Sequence, residues 1–227
     1  MSPATLPIAP FSLGAPYTIA FASSSAPAIG ALTEGERREY DRLPHEGRRR
    51  DWLAGRYAAK RAVAARCGVS LHHIQLESRP GAAPLCMVRD DHGRWTPTRF
   101  SISIAHRDGW AIAAAAEPSM RVGVDIDRAG EIVPEHLRYF LAPRERSYGG
   151  LIDASLAWVI KEAAWKALAL GSDVPFTAIQ LSFDRGTRAL HGVWAESTWL
   201  AARAHVVRFA HPYRMVSAVV EIRQEVQ

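Results

Sequence analysis

Lysine is nearly missing from this 227-residue chain: of its 28 basic side chains only Lys60, Lys161 and Lys166 are lysine, and the other 25 are arginine. Cysteine is as scarce. Cys67 and Cys86 are too few for a disulfide framework and have no metal-ligand company, so a reducing cytoplasm is the expected compartment. No apolar run reaches the roughly 18 residues a spanning helix needs, and no basic segment followed by an uninterrupted apolar stretch opens the chain, so neither a membrane span nor a secretory signal is expected. The composition, at 48% hydrophobic and 22% charged residues, does not indicate disorder, and this length suffices for one large domain or two small ones. The net charge of +5 favours acidic partners: nucleic acid, a polyphosphate ligand or an acidic protein.

What is present centres on residues 121–166. Arg121-Val122-Gly123-Val124-Asp125-Ile126-Asp127 alternates as a strand, which sends Val122, Val124 and Ile126 to one face and sets Asp125 and Asp127 side by side on the other. Trp158-Val159-Ile160-Lys161-Glu162-Ala163-Ala164-Trp165-Lys166 has helical character, with Trp158, Glu162 and Lys166 on one stripe and Lys161 beside it. If that stripe faces the strand, three carboxylates and two ammonium groups meet. Such hard oxygen donors suit magnesium, which takes one or two carboxylates and completes its shell with water and substrate phosphates. Taken singly, each residue has a plainer reading as an exposed strand end or an i,i+4 surface pair. Aspartate is disfavoured in strands, however, and occurs twice on one face of an apolar one. Two of the three lysines also flank Glu162, which suggests a need there for a compact ammonium.

Around this centre the chain reads as mixed helix and strand. A strand is expected at residues 17–22, after an opening dozen or so that should be loosely ordered. Thr33-Glu34-Gly35-Glu36 is a capping box that opens a short helix closed by Pro44. A longer helix follows over 48–67 and ends at Gly68, with Arg49, Trp52, Arg56 and Lys60 on one face. Strands are expected at 74–79 and 85–89 around a turn at Pro80-Gly81, then at 100–104 and 110–116, and later at 179–183, 193–195, 205–209 and 214–222. Residues 134–140 look helical, and Pro143-Arg144-Glu145 begins the next turn. Asp153 or Ser155 caps the helix bearing Glu162, and Gly171 stops it. Ala105-His106 before one apolar strand is echoed by Ala210-His211 before another, which hints at an internal duplication and leaves His211 structural.

Gly123-Val124-Asp125-Ile126-Asp127, followed by the Trp158–Lys166 segment, resembles the paired signature of 4'-phosphopantetheinyl transferases of the surfactin type, G-[IV]-D-x-[ED] then W-x-x-K-E-x-x-x-K. The resemblance implies an α+β fold of two similar halves, residues 1–117 and 118–227, related by a pseudo-twofold axis with the active site in the cleft between them. It implies transfer of phosphopantetheine from coenzyme A to a serine of an acidic apo acyl or peptidyl carrier protein, by a cytoplasmic monomer that needs neither nucleic acid nor membrane. Asp125, Asp127 and Glu162 would hold magnesium, or manganese in its place. Glu162 would take the serine proton, and Lys166 and Lys161 would meet the pyrophosphate. Arg56 and His106, with Arg50 and Lys60, would hold the 3'-phosphate end of coenzyme A. Three positions depart from the family pattern: Ala105 stands where Ser is common, Asp127 where Glu is usual, and Gly81-Ala82-Ala83-Pro84 lacks the basic residue of a G-[KR]-P loop, for which Arg79 is the nearest substitute. Two other classes stay open, a magnesium-dependent nuclease and a non-catalytic module that binds nucleotide or nucleic acid through the arginine-rich helix.

Overall fold

The computed structural model describes residues 10, 17–23, 29–79, 82–148, 153–171, 173–184, 186–195, 198–209 and 214–223. The opening residues, the Pro80-Gly81 turn and the Ala210-His211 echo lie outside these. The chain divides into two compact units, Met1–Pro118 and Ser119–Gln227.

In the first unit a strand β1 (Tyr17–Ser23) precedes two helices, α1 (Glu34–Asp41) and α2 (Glu46–Cys67), and five further strands follow: β2 (Ile74–Arg79), β3 (Ala82–Arg89), β4 (Trp95–Pro97), β5 (Ser101–Arg107) and β6 (Trp110–Ala116). They form two antiparallel sheets, β1-β6-β5 and β2-β3-β4. The capping box at Thr33 is made in both directions, and Gly68 ends α2 in the left-handed conformation that glycine adopts without steric cost. α2 lies close on the first sheet because both surfaces are alanine: Ala54, Ala58 and Ala62 on the helix meet Ala20, Ala22, Ala111, Ala113 and Ala115. The helix face carrying Trp52, Arg56 and Lys60 is buried as well, which the sequence did not anticipate.

The second unit runs β7 (Met120–Arg128), α3 (Leu137–Phe140), α4 (Ala154–Ala167), β8 (Ile179–Phe183), β9 (Leu190–Ala195), β10 (Thr198–Phe209) and β11 (Met215–Arg223). Its strands form one antiparallel sheet in the order β7-β11-β10-β9-β8, and α4 packs on the face bearing Val216, Ala218, Val220 and Ile222. Asp153 caps α4, accepting from Leu156 N at 2.8 Å. The helix ends at Ala167, before Gly171. The two units repeat one connectivity, since β10 pairs first with β9 and then with β11, as β4 and β5 pair successively with β3 and β6.

They also repeat one buried ion pair. In the first unit Lys60 Nζ meets Glu36 Oε2 at 2.5 Å and donates to Ala31 O, while the Glu36 carboxylate accepts from Thr33 N at 2.9 Å and Leu76 N at 3.0 Å. In the second, Lys161 Nζ donates to both Glu145 oxygens at 2.6 and 2.7 Å and to Ile179 O, while Glu145 accepts from Ala142 N at 2.6 Å and Leu181 N at 2.7 Å. Each carboxylate therefore ties a helix to the backbone three residues before it and to the strand after the helix. Burial pulls both lysines below their ordinary range, and the paired glutamates oppose it. Breaking such a pair by removing one partner costs about 3–5 kcal/mol.

Candidate functional site

The site begins with a close approach. A Cβ on Gly123 would lie 1.8 Å from Ala163 O and 2.6 Å from Ala167 N, so only glycine lets β7 run this near to α4. Strand alternation puts Asp125 and Asp127 on the same face as Gly123, toward the helix, and both are buried. From α4, Glu162 and Lys166 project together at i,i+4 spacing. Lys166 Nζ donates to Asp125 Oδ1 at 2.8 Å and stands 3.0 Å from Glu162 Oε1, so the ammonium bridges one carboxylate from the strand and one from the helix.

Burial pushes the Asp125 carboxyl up to about 7; Lys166 opposes this, and the Glu162 and Asp127 charges add to it. For Lys166 burial works downward, but Asp125 and Glu162 outweigh it and the net direction is up. An acid this ready to accept a proton at neutral pH, beside a firmly charged ammonium, is suited to proton exchange and to neutralising an anion.

Asp127 Oδ1 accepts from Arg128 N at 2.8 Å. Just beyond it, Ser155 Oγ accepts from Gly130 N at 2.9 Å and from Ile132 N at 3.4 Å, which fastens the segment leaving β7 to the first turn of α4. Ser155 is thus a loop anchor and not the cap. Its role was hidden in the sequence, because nothing local links it to residues 23–25 positions earlier.

Two corrections follow for the lysines. Lys161 does not join Lys166: one residue along a helix turns the side chain about 100°, and its ammonium is enclosed by Glu145 and Ile179 O, with three acceptors for three donors. Lys60 is enclosed in the same way by Glu36 and Ala31 O. Lys161 thus has no donor left for phosphate, and Lys60 is fully buried.

Among the described residues no three His, Cys, Asp or Glu side chains are grouped so as to hold a metal ion. Between Asp125 and Glu162 stands the Lys166 ammonium. The donor chemistry still fits a hard divalent cation. All three donors are carboxylates, and magnesium commonly takes only one or two of them, with water and phosphate completing its shell.

The first unit has a pocket of about 190 Å³ lined by Trp52, Arg56, Ser78, Arg79 and His106, with Ala82 and Pro84 from β3. Arg56 is its buried charge. Its guanidinium lies 4.7 Å over the Trp52 ring and donates through Nη2 to Ser78 Oγ at 2.5 Å and to Glu39 at 3.4–3.5 Å. Its Nε is buried and has no hydrogen-bond partner. Burial pulls Arg56 below its ordinary range, against the pull of Glu39 and Glu36. A cation held in this state is suited to an entering anion, which would take the orphaned donor. Arg56 and His106 are brought together here, as is Arg79; Lys60 is not, and Arg50 is exposed on α2 and does not line the pocket. Glu39, which competes for the guanidinium, is invisible in the sequence because it reaches Arg56 from another helix.

No protein-family model matches the chain, and no curated protein matches it in sequence. Among solved structures it resembles the crystal structure of the Thermotoga maritima holo-[acyl-carrier-protein] synthase at 19% identity and a TM-score of 0.37, over 46% of this chain and 63% of that one. The match thus spans less than two thirds of that protein's length, and so loose a likeness is no basis for a function.

Proposed function

We propose that this protein transfers the 4'-phosphopantetheine group of coenzyme A to a serine of an apo acyl or peptidyl carrier protein, releasing adenosine 3',5'-bisphosphate. The observation that carries the reading is Lys166 Nζ poised between Asp125 and Glu162, because it joins the two halves of the sequence signature through side-chain contacts. In this reading Glu162 accepts the proton of the attacking serine hydroxyl, and Lys166 offsets charge on the pyrophosphate as the bond to the adenosine phosphate breaks. Arg56, with Arg79 and His106 at the same pocket, holds the 3'-phosphate end. Asp125, Asp127 and Glu162 would hold magnesium, whose chemistry when bound is to neutralise and orient the pyrophosphate. The pseudo-twofold relation of the units and a shared cleft belong to the same proposal. So do the monomeric state and the acidic partner that the net charge of +5 would attract.

The test is intact-mass spectrometry of an apo carrier protein incubated with this protein and coenzyme A, with and without magnesium. The expected result is a magnesium-dependent gain of one phosphopantetheine group, abolished in Asp125→Ala and Glu162→Ala variants that remain folded. No gain on several carrier types with a folded protein would overturn the proposal, and unchanged turnover in either variant would remove that residue from the site.

A further inference from the structure

Away from these residues the second unit contains a larger pocket, about 470 Å³, where β9 and β10 part company. Their pairing stops at Gly192 opposite Ala201, while β10 continues along β11 to Phe209. The pocket occupies the angle so opened. Its walls include Ala189 and Ala201, with Leu190 and Ala202 reaching it from the core under α4, and its polar side chains include Asp184, Glu221, His191, Arg203 and His205.

Glu221 is the unusual member. It is only 4% exposed, its Oε2 is buried without a hydrogen-bond partner, and its nearest basic group, His205 Nε2, is 3.9 Å away, beyond hydrogen-bond reach. Arg203 faces it directly in strand register, yet its side chain is exposed and makes no ion pair with it. The two buried carboxylates of the folding clamps, Glu36 and Glu145, each have a lysine and two backbone donors. A carboxylate buried without such partners is costly, and its cost is recovered when a donor enters.

We infer that this pocket binds an ammonium or guanidinium group on a slim aliphatic stem, with the cation on Glu221 and the stem along the alanine wall. A free amine and a lysine side chain of a peptide share this chemistry.

Binding to the full chain is measured by calorimetry with three probes: n-butylammonium, n-butanol as its neutral analogue, and an acetylated, amidated Gly-Lys-Gly peptide. Saturable binding of a cationic probe, absent for butanol and weakened about tenfold or more in Glu221→Gln, is expected. Preference for the peptide over butylammonium would identify a side chain as the ligand, and the reverse a free amine. Thermal unfolding of Glu221→Gln supplies a second readout. A carboxylate kept for a ligand predicts a variant at least as stable as the parent. Absence of saturable cation binding to the folded protein, affinity unchanged in Glu221→Gln, or a variant markedly less stable than the parent would each overturn the inference.

Discussion

Replacing Gly123 with alanine tests how the candidate site is assembled. The new methyl would begin 1.8 Å from Ala163 O, and reaching even the 3.0 Å limit of real Cβ contacts requires β7 and α4 to part by about 1.2 Å. Neither neighbour can rotate away, because both close contacts are backbone atoms of a helix. Forcing a group into a packed interface costs typically 1–3 kcal/mol, and with rigid backbone on both sides the upper end applies. In urea that corresponds to a midpoint lower by about 1 M or more. The same parting would stretch the Lys166–Asp125 hydrogen bond from 2.8 Å to about 4 Å, where it no longer holds. Transfer activity should therefore fall even at urea-free conditions in which the variant is folded. Unfolding followed by tryptophan fluorescence, to which Trp158 and Trp165 on α4 contribute, reports the first effect, and mass-detected transfer the second. Gly30→Ala is the control, since its added methyl meets nothing within 4 Å. A Gly123→Ala protein with the parent's midpoint and activity would refute the account of β7 and α4.

Lys161→Met should cost about 3–5 kcal/mol by stranding the Glu145 carboxylate, and loss of turnover without loss of stability would return Lys161 to the site. Lys166→Arg should impair transfer although the charge is kept, because a planar guanidinium does not fit a gap that holds one nitrogen 2.8 and 3.0 Å from two carboxylates; near-normal kinetics would contradict this. Between about 3.8 and about 7 the folded protein keeps the Asp125 proton that the unfolded chain has released, so this residue makes stability fall as pH rises through that window. Asp125→Asn should remove that fall in chemical denaturation at pH 4 to 8, and a slope identical to the parent's would show that Asp125 ionises normally. Burial pushes the Cys86 thiol up to about 11, so at pH 8 an alkylating reagent should label it only as the first unit unfolds, and rapid labelling of the native protein would be inconsistent with its place in the core.

Alternation and i,i+4 spacing are local rules: they set Asp125 beside Asp127 on one strand face and Glu162 beside Lys166 on one helix stripe, while the meeting of that stripe with the strand was a condition that neither rule supplies. The same rules located most strands, including 74–79, 110–116 and 179–183. They missed β4, a three-residue strand defined only by its partner β3. The lysine argument failed in an instructive way. Scarcity marked the three positions where a compact ammonium is needed, but two of these needs are a buried carboxylate and a backbone carbonyl met in space. Glu36 and Glu145 are separated from their lysines by 24 and 16 positions, and no periodicity connects them. The pairing of Arg56 with Glu39 and Ser78 was equally hidden. The capping box at Thr33 was legible, whereas the second task of Glu36 within it, holding Lys60, was not.

Helix α4 meets its two carboxylate partners by separate arrangements: Lys161 turns inward to Glu145, and Glu162 and Lys166 turn toward Asp125. The frame is therefore insured against change in the reactive group. Mutation at Asp127, Glu162 or Lys166 leaves the bonds from Lys161 to Glu145 and Ile179, and from Glu145 to Ala142 and Leu181, untouched. A lineage can therefore try another acid at position 127 while each intermediate still folds. Positions 145 and 161 allow no such drift, because losing either one alone leaves its partner charged and enclosed, so they can change only together.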